Sequence, residues 1–330
     1  MTNGGLHDRI NRILLWDVNV RDLDRSTAFY EELTSLRTTP PVRDTDAGAL
    51  LDGRAGTART TLLENGNRAA PWPTLRLVQW IDPEPVGAPS PEPPSLGFFR
   101  VVIHVSDLDA TRARAERLGA PAFAATTGEE FRFVLGSSGS QAYRVFACHD
   151  PDGIVVEFIE NASPKLSVVA QGTGDLERHL GFYTEVLGLD LTDTVETPGP
   201  VPNVYTPSGG TVDFSGAFFR VRGDDRGYLD WLEHRDRAGH GIPYPEPEHV
   251  GVIRCLLEVD DLEEACGTLA AARWEGGAIR MGEVGEVELG GTLGRRRVLP
   301  FLDPEGVRYA LVEQGRYPWA RLHPHARRAG

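Results

Sequence analysis

Residues 149–161 read HDPDGIVVEFIEN, and residues 302–314 read LDPEGVRYALVEQ. Turn, apolar run and length agree, yet Glu157 of the first stands where the second has Ala310. A carboxylate kept inside an apolar run can exchange a proton, or hold a cation if other donors converge on it. Arginine does the complementary work, gripping carboxylates or developing negative charge through a planar fork of donors. Lys165 is the only lysine, so any buried anion site must use arginine. Arg76, Arg100 and Arg254 all fall in apolar runs (TLRLVQW, FFRVVIHV and VIRCLLEV). His104, in the second of these, has a side chain whose ordinary pKa suits proton transfer near neutrality.

These groups need elements to position them, and the elements repeat. Four segments share a short apolar strand, an acidic-Leu-acidic turn and a helix. They are LLWDVNVRDLDRSTAFYEEL from Leu14, RVVIHVSDLDATRARAERLG from Arg100, SVVAQGTGDLERHLGFYTEVLG from Ser167 and RCLLEVDDLEEACGTLAAAR from Arg254. The landmark aspartates are Asp22, Asp107, Asp175 and Asp261. Asp22 to Asp175 and Asp150 to Asp303 are each 153 residues, and Asp107 to Asp261 is 154. The first and third segments carry Phe29-Tyr30 and Phe182-Tyr183, which the other two lack, so the duplicated unit was already a pair.

Each module is legible physically. Val18 with Val20, and likewise Val105 or Val259, alternate along strands. Each landmark Asp stands at a helix N-cap, with Asp24, Asp109, Glu177 or Glu263 in the first turn, where negative charge suits the dipole. DPDG at 150–153 and DPEG at 303–306 suit tight turns, and the runs after them read as strands. Phe29, Tyr30, Phe182 and Tyr183 read as helix-to-sheet core. The Pro-rich stretches 82–97 and 241–248 read as linkers within each half, and GDDRGYLDWLEHRDRAGH from Gly223 has the spacing of an added helix. The short ENASPK joint at 160–165 marks a boundary between residues 1–162 (modules about 12–82 and 98–161) and 163–330 (modules about 165–222 and 250–315). A basic tail bearing His323 and His325 closes the chain.

The chain has 330 residues, 40% hydrophobic and 25% charged, which is ample for a globular core in more than one unit. A net charge of −14 argues against nucleic acid or an anionic membrane as partner, and the apolar runs are too short to span a bilayer. Three cysteines without metal-type spacing fit a reducing cytoplasm. The expected partner is a small molecule, and the expected state a monomer or homodimer.

DLDRSTAFY, DLERHLGFYTEVLGL and DPDGIVVEFIE resemble the vicinal-oxygen-chelate superfamily, which includes glyoxalase I, bleomycin- and fosfomycin-resistance proteins and extradiol dioxygenases. The resemblance spans roughly residues 12–315. It implies an α+β fold of four βαβββ modules, forming two glyoxalase-like domains with cup-shaped mixed sheets. In the metalloenzymes of that superfamily, ligands come from the first strand, seven residues before the landmark Asp, and from a Glu on the last strand. Here the first-strand positions are Leu15, Arg100, Val168 and Arg254, and the last-strand positions are Arg76, Glu157 and Ala310, with the third module's equivalent placed near Phe219 or Arg220. Aliphatic side chains and guanidinium groups have no lone pair to give, so no metal or other cofactor is expected.

If neighbouring modules pair, alternation puts Asp17, Asn19, Arg100, His104, Arg76 and Glu157 inside a cup built by the first two modules, and Arg254 and Glu258 inside one built by the last two; pairing across the duplication stays open. The expected function is metal-independent acid–base chemistry on a small organic molecule of specialised metabolism, of isomerase, cyclase or lyase type, in the first of these cups. His104 or Glu157 would be the base, with Arg76, Arg100, Asp17, Asn19, Arg254 and Glu258 contacting substrate. Arg100 with Glu157 reads equally as a structural ion pair. Two alternatives stand beside this reading: a binder that sequesters a drug or metabolite, and a metal-dependent enzyme of glyoxalase or dioxygenase type.

Overall fold

The computed structural model describes residues 5–44, 47–65, 73–89, 96–123, 130–207, 209–224, 226–235, 244–275 and 277–315. The basic tail, with His323 and His325, lies outside the described residues, as do Trp72 and Trp319. Among the described residues, no helix is long and apolar enough to cross a membrane.

Module 1 comprises β1 (Ile10–Asn19), α1 (Leu23–Leu33), β2 (Leu36–Thr38), β3 (Val42–Asp44), β4 (Thr57–Asn65) and β5 (Thr74–Asp82). Module 2 has β6 (Gly97–Val105), α2 (Leu108–Arg117), β7 (Glu130–Leu135), β8 (Gly139–His149) and β9 (Val155–Glu160). Module 3 has β10 (Lys165–Gly172), α3 (Leu176–Gly181, continued by a π turn to Val186), β11 (Asp190–Glu196), β12 (Val201–Pro202), β13 (Thr211–Val212), β14 (Phe214–Arg220) and β15 (Tyr228–His234). Module 4 has β16 (Gly251–Val259), α4 (Leu262–Ala271), β17 (Arg273–Trp274), β18 (Gly277–Ala278), β19 (Gly285–Glu288), β20 (Arg295–Leu302) and β21 (Arg308–Glu313).

All four landmark aspartates cap their helices. Asp22 accepts from the backbone N–H of Asp24 and Arg25, Asp107 from Ala110, Asp175 from Arg178 and Asp261 from Glu264. One expected element is different. Residues 228–234 form β15 rather than an added helix, because Leu229 and Trp231 turn to the common core while Tyr228, Asp230 and Leu232 take the other face. Module 3 therefore runs to His234.

The sheets do not follow the halves of the sequence. β1 pairs antiparallel with β16, so modules 1 and 4 share one nine-stranded sheet. β6 pairs antiparallel with β10, so modules 2 and 3 close an eight-stranded barrel. Two cups built from residues 1–162 and 163–330 are thus replaced by an outer pair and an inner pair of modules. Within each half the two modules still dock through a turn. Tyr30 of α1 donates to Asp150 of the module 2 turn (3.1 Å), and Tyr183 donates to Asp303 of the module 4 turn (3.0 Å). One large core, including Trp16, Tyr30, Phe158, Tyr183, Trp231 and Tyr309, lies between the convex sheet faces and the helices. A second fills the cup of modules 1 and 4, and a third fills the barrel.

Candidate functional site

In every module the last strand runs parallel beside the first, and the register is the same. Asp17 lies opposite Arg76, Val102 opposite Glu157, Ala170 opposite Asp230 and Leu256 opposite Ala310. The module 3 equivalent of Glu157 is therefore Asp230, not Phe219 or Arg220. The pattern was present in the sequence, since LDWLEH at 229–234 aligns with VEFIEN at 156–161. It was hidden by reading that stretch as helix.

The charges expected in one cup are divided between two. In the sheet of modules 1 and 4, Asp17 takes two arginines. Arg76 donates from Nε and Nη2 at 2.8 and 2.9 Å, and Arg254 donates from Nη1 at 3.1 Å. The remaining Arg76 Nη1 reaches the Glu288 carbonyl, and Arg254 Nη2 reaches the Leu50 carbonyl at 2.8 Å. Burial, with Arg308 and Arg76 close by, holds Arg254 down to about 10 despite Asp17. Ala47, Leu50 and Leu51 pack into this cup beside Leu15, Leu256 and Ala310. The triad is tied up by the chain itself and reads as structure, apart from one unpaired Arg254 N–H.

In the barrel the composition is inverted. One guanidinium, Arg100, lies between two carboxylates, with Nε 3.1 Å from Glu157 and Nη2 donating to Asp230 at 3.2 Å. The Arg100–Glu157 pair expected from sequence is present, and Asp230 is its unforeseen third member. The Tyr205 ring lies 4.0 Å from the guanidinium carbon. Arg100, Glu157 and Asp230 are each 4% exposed. Burial would lower Arg100, but Glu157, Tyr205 and Asp230 together push it above its ordinary value. Burial raises Glu157 against the pull of Arg100, and raises Asp230 to about 6. This triad is less complete than the first: among the described residues, both a donor, Arg100 Nη1, and an acceptor, Asp230 Oδ1, are buried without a hydrogen-bond partner. Buried polar atoms left so are costly, and a guest that paired with them would relieve that cost. Phe131, Phe214, Val145, Val204 and Leu232 form the apolar core of the barrel, with Phe133, Tyr143 and Phe218 packed against it.

The other expected contacts stand elsewhere. His104 lies in register with Lys165 at a strand end, half-buried, and burial with that nearby ammonium lowers it to about 4. Asn19 is buried and donates to the Pro247 and His249 carbonyls, fixing the approach to β16. Glu258 pairs with Arg12 at 2.9 Å. Two surface grooves, of about 620 and 510 Å³, lie apart from both triads; one is lined by Arg220 and Arg222, the other by Phe29, Phe123 and His149. Neither gathers buried opposing charges as the barrel does.

A metal of the kind the resemblance implies does not fit these residues. The cup of modules 1 and 4 offers Leu15, Arg254, Arg76 and Ala310 at the relevant positions, and the barrel offers Arg100, Val168, Glu157 and Asp230. Two carboxylates already share a guanidinium there, and among the described residues no three His, Cys, Asp or Glu converge.

The sequence model of the glyoxalase/bleomycin resistance protein/dioxygenase superfamily matches residues 9–158 and again 165–311. The chain belongs to that superfamily, as a two-repeat member. It is similar in structure to glyoxalase I from Zea mays, at 19% identity and a TM-score of 0.61 over 92% of both chains. It is also similar to a candidate dioxygenase from Bacillus subtilis subsp. subtilis str. 168, at 12% identity and a TM-score of 0.57, over 92% of this chain and 86% of that one. At such identities the likeness shows the fold alone. No curated protein matches the sequence.

Proposed function

We propose that the barrel of modules 2 and 3 holds a small organic molecule and moves a proton on it without a metal ion. The observation that carries this reading is the unfinished triad: a buried donor on Arg100 and a buried acceptor on Asp230, two residues already in contact, inside a barrel rich in aromatic side chains. A guest bearing a carbonyl or phenol oxygen would accept from Arg100 Nη1, and its acidic hydrogen would face Asp230 Oδ1. Asp230, raised to about 6, is a stronger base than an ordinary carboxylate yet still ionised at neutral pH. Arg100 would stabilise the enolate or phenolate that forms. Glu157 keeps the guanidinium in place, a positioning role. His104, held near 4, is too weakly basic to compete with Asp230.

The enclosing aromatic walls favour a second reading, storage of a planar guest without turnover. One experiment separates them. Enolisable ketones and phenols would be incubated with the protein in D₂O and followed by NMR and mass spectrometry. Deuterium entering the guest, and lost with Asp230→Asn, supports proton transfer. Tight binding with the guest recovered unlabelled leaves only storage.

A further inference from the structure

We infer that Arg100 is the resident cation of the barrel and the residue that keeps divalent metal ions out of it. Glu157 and Asp230 occupy the same register position on β9 and β15, in two different modules, and both ion-pair with this one guanidinium. Two carboxylates brought together in a buried space repel each other unless a cation lies between them. Arg100 supplies that cation from within the chain, on strand β6, and cannot be deprotonated to make room for another. A metal ion approaching the pair would have to displace a buried guanidinium whose ion-pair partners among the described residues are these two carboxylates. The cup of modules 1 and 4 provides an internal contrast. Its last-strand positions hold Arg76 and Ala310, and Asp17, the carboxylate between the arginines, is shared by two of them, so removing one of them exposes no carboxylate pair.

The inference concerns cation choice, and its test needs no substrate, so it can fail while the proposed function stands, and the reverse. Mn²⁺ and Zn²⁺ would be titrated by calorimetry into the full-length protein and three variants. Wild type should show no site that depends on Glu157. Arg100→His, which puts an imidazole beside two carboxylates, should take up one equivalent at least about a hundredfold more tightly than wild type, and Glu157→Gln added to it should abolish that uptake. Arg254→His should bind no more than wild type. If Arg100→His does not fold alone, refolding it with Zn²⁺ should restore the native circular dichroism, since metal binding then drives folding, and the double variant should not respond. A Glu157-dependent site in wild type, an Arg100→His protein that ignores both metals while folded or on refolding, or equal uptake by Arg254→His would each overturn the inference.

Discussion

Arg100 and Asp230 stand on strands of different modules, 130 residues apart in the chain, and meet at 3.2 Å inside the barrel. The contact exists because β6 pairs with β10, and β10 in turn runs beside β15. On the proposed function, a guest in the barrel would be gripped by the two repeats jointly. Substituting Asp230→Asn should reduce guest handling by about 10²–10⁴-fold, the usual share of a general base. Glu258→Ala, in the other cup and paired only to Arg12 among the contacts described, should leave it within about twofold. Steady-state rates, or affinities if the guest is only stored, measure the difference.

The triad of the other cup makes a stability prediction. Asp17 is 1% exposed and is the shared counter-ion of Arg76 and Arg254. Asp17→Ala would leave two buried guanidinium groups facing each other without a counter-ion. Removing one partner of a buried pair typically costs about 3–5 kcal/mol. Urea unfolding should show a loss of at least that size, whereas Arg12→Ala, which breaks only a half-buried pair, should cost about 1 kcal/mol or less.

The two tyrosine contacts predict a test of the repeat itself. Tyr30→Phe and Tyr183→Phe each delete one buried hydrogen bond, to Asp150 and Asp303. Each should cost about 1 kcal/mol, and because the two share no partner their effects should add. A double variant departing from the sum by more than about 0.5 kcal/mol would show that the two docking points are coupled.

These contacts also show why some features were readable in the sequence and others were not. The caps at Asp22, Asp107, Asp175 and Asp261, and the turns at Asp150 and Asp303, depend on residues a few positions away, so type and spacing suffice. Module pairing does not have that property. β1, β6, β10 and β16 carry nearly the same apolar alternation, so periodicity alone lets β1 pair with β6 as readily as with β16. The choice of partner moved Arg76 away from Arg100 and gave it to Asp17 and Arg254. Asp230 was missed for a different reason. Its neighbours Tyr228, Leu229 and Leu232 also fit a helical period, which masked the match of LDWLEH to VEFIEN; burial of Trp231 in the common core makes the strand plain.

Acid titration should expose His104. Its ordinary pKa is about 6.5, and burial beside Lys165 lowers it to about 4. Between those values the unfolded chain binds a proton that the folded chain refuses. His104 thus gives stability above about pH 6.5 that is lost as pH falls toward about 4. Asp230, raised to about 6, has the opposite sign: its contribution is present below about pH 4 and is lost as pH rises through about 6. Replacing His104 by Gln should therefore raise the melting temperature relative to wild type near pH 5 and leave it unchanged near pH 8. A shift of equal size at both would mean that packing, not protonation, is being read.

Severing the chain between its repeats tests the topology directly. Cutting between residues 162 and 163 parts β1 from β16 and β6 from β10, so each half carries two first strands with unpaired edges. Exposed edges of that length recruit whatever strand is available. Residues 1–162 expressed alone should thus not be a monomer: they should aggregate or pair with a second copy, module to module. Co-expressed with residues 163–330, they should elute as a one-to-one complex of the intact protein's size. If instead the two halves were stable monomers that ignored each other in size-exclusion chromatography, each repeat would close its own cup. Arg100 would then have to find its second carboxylate somewhere other than Asp230.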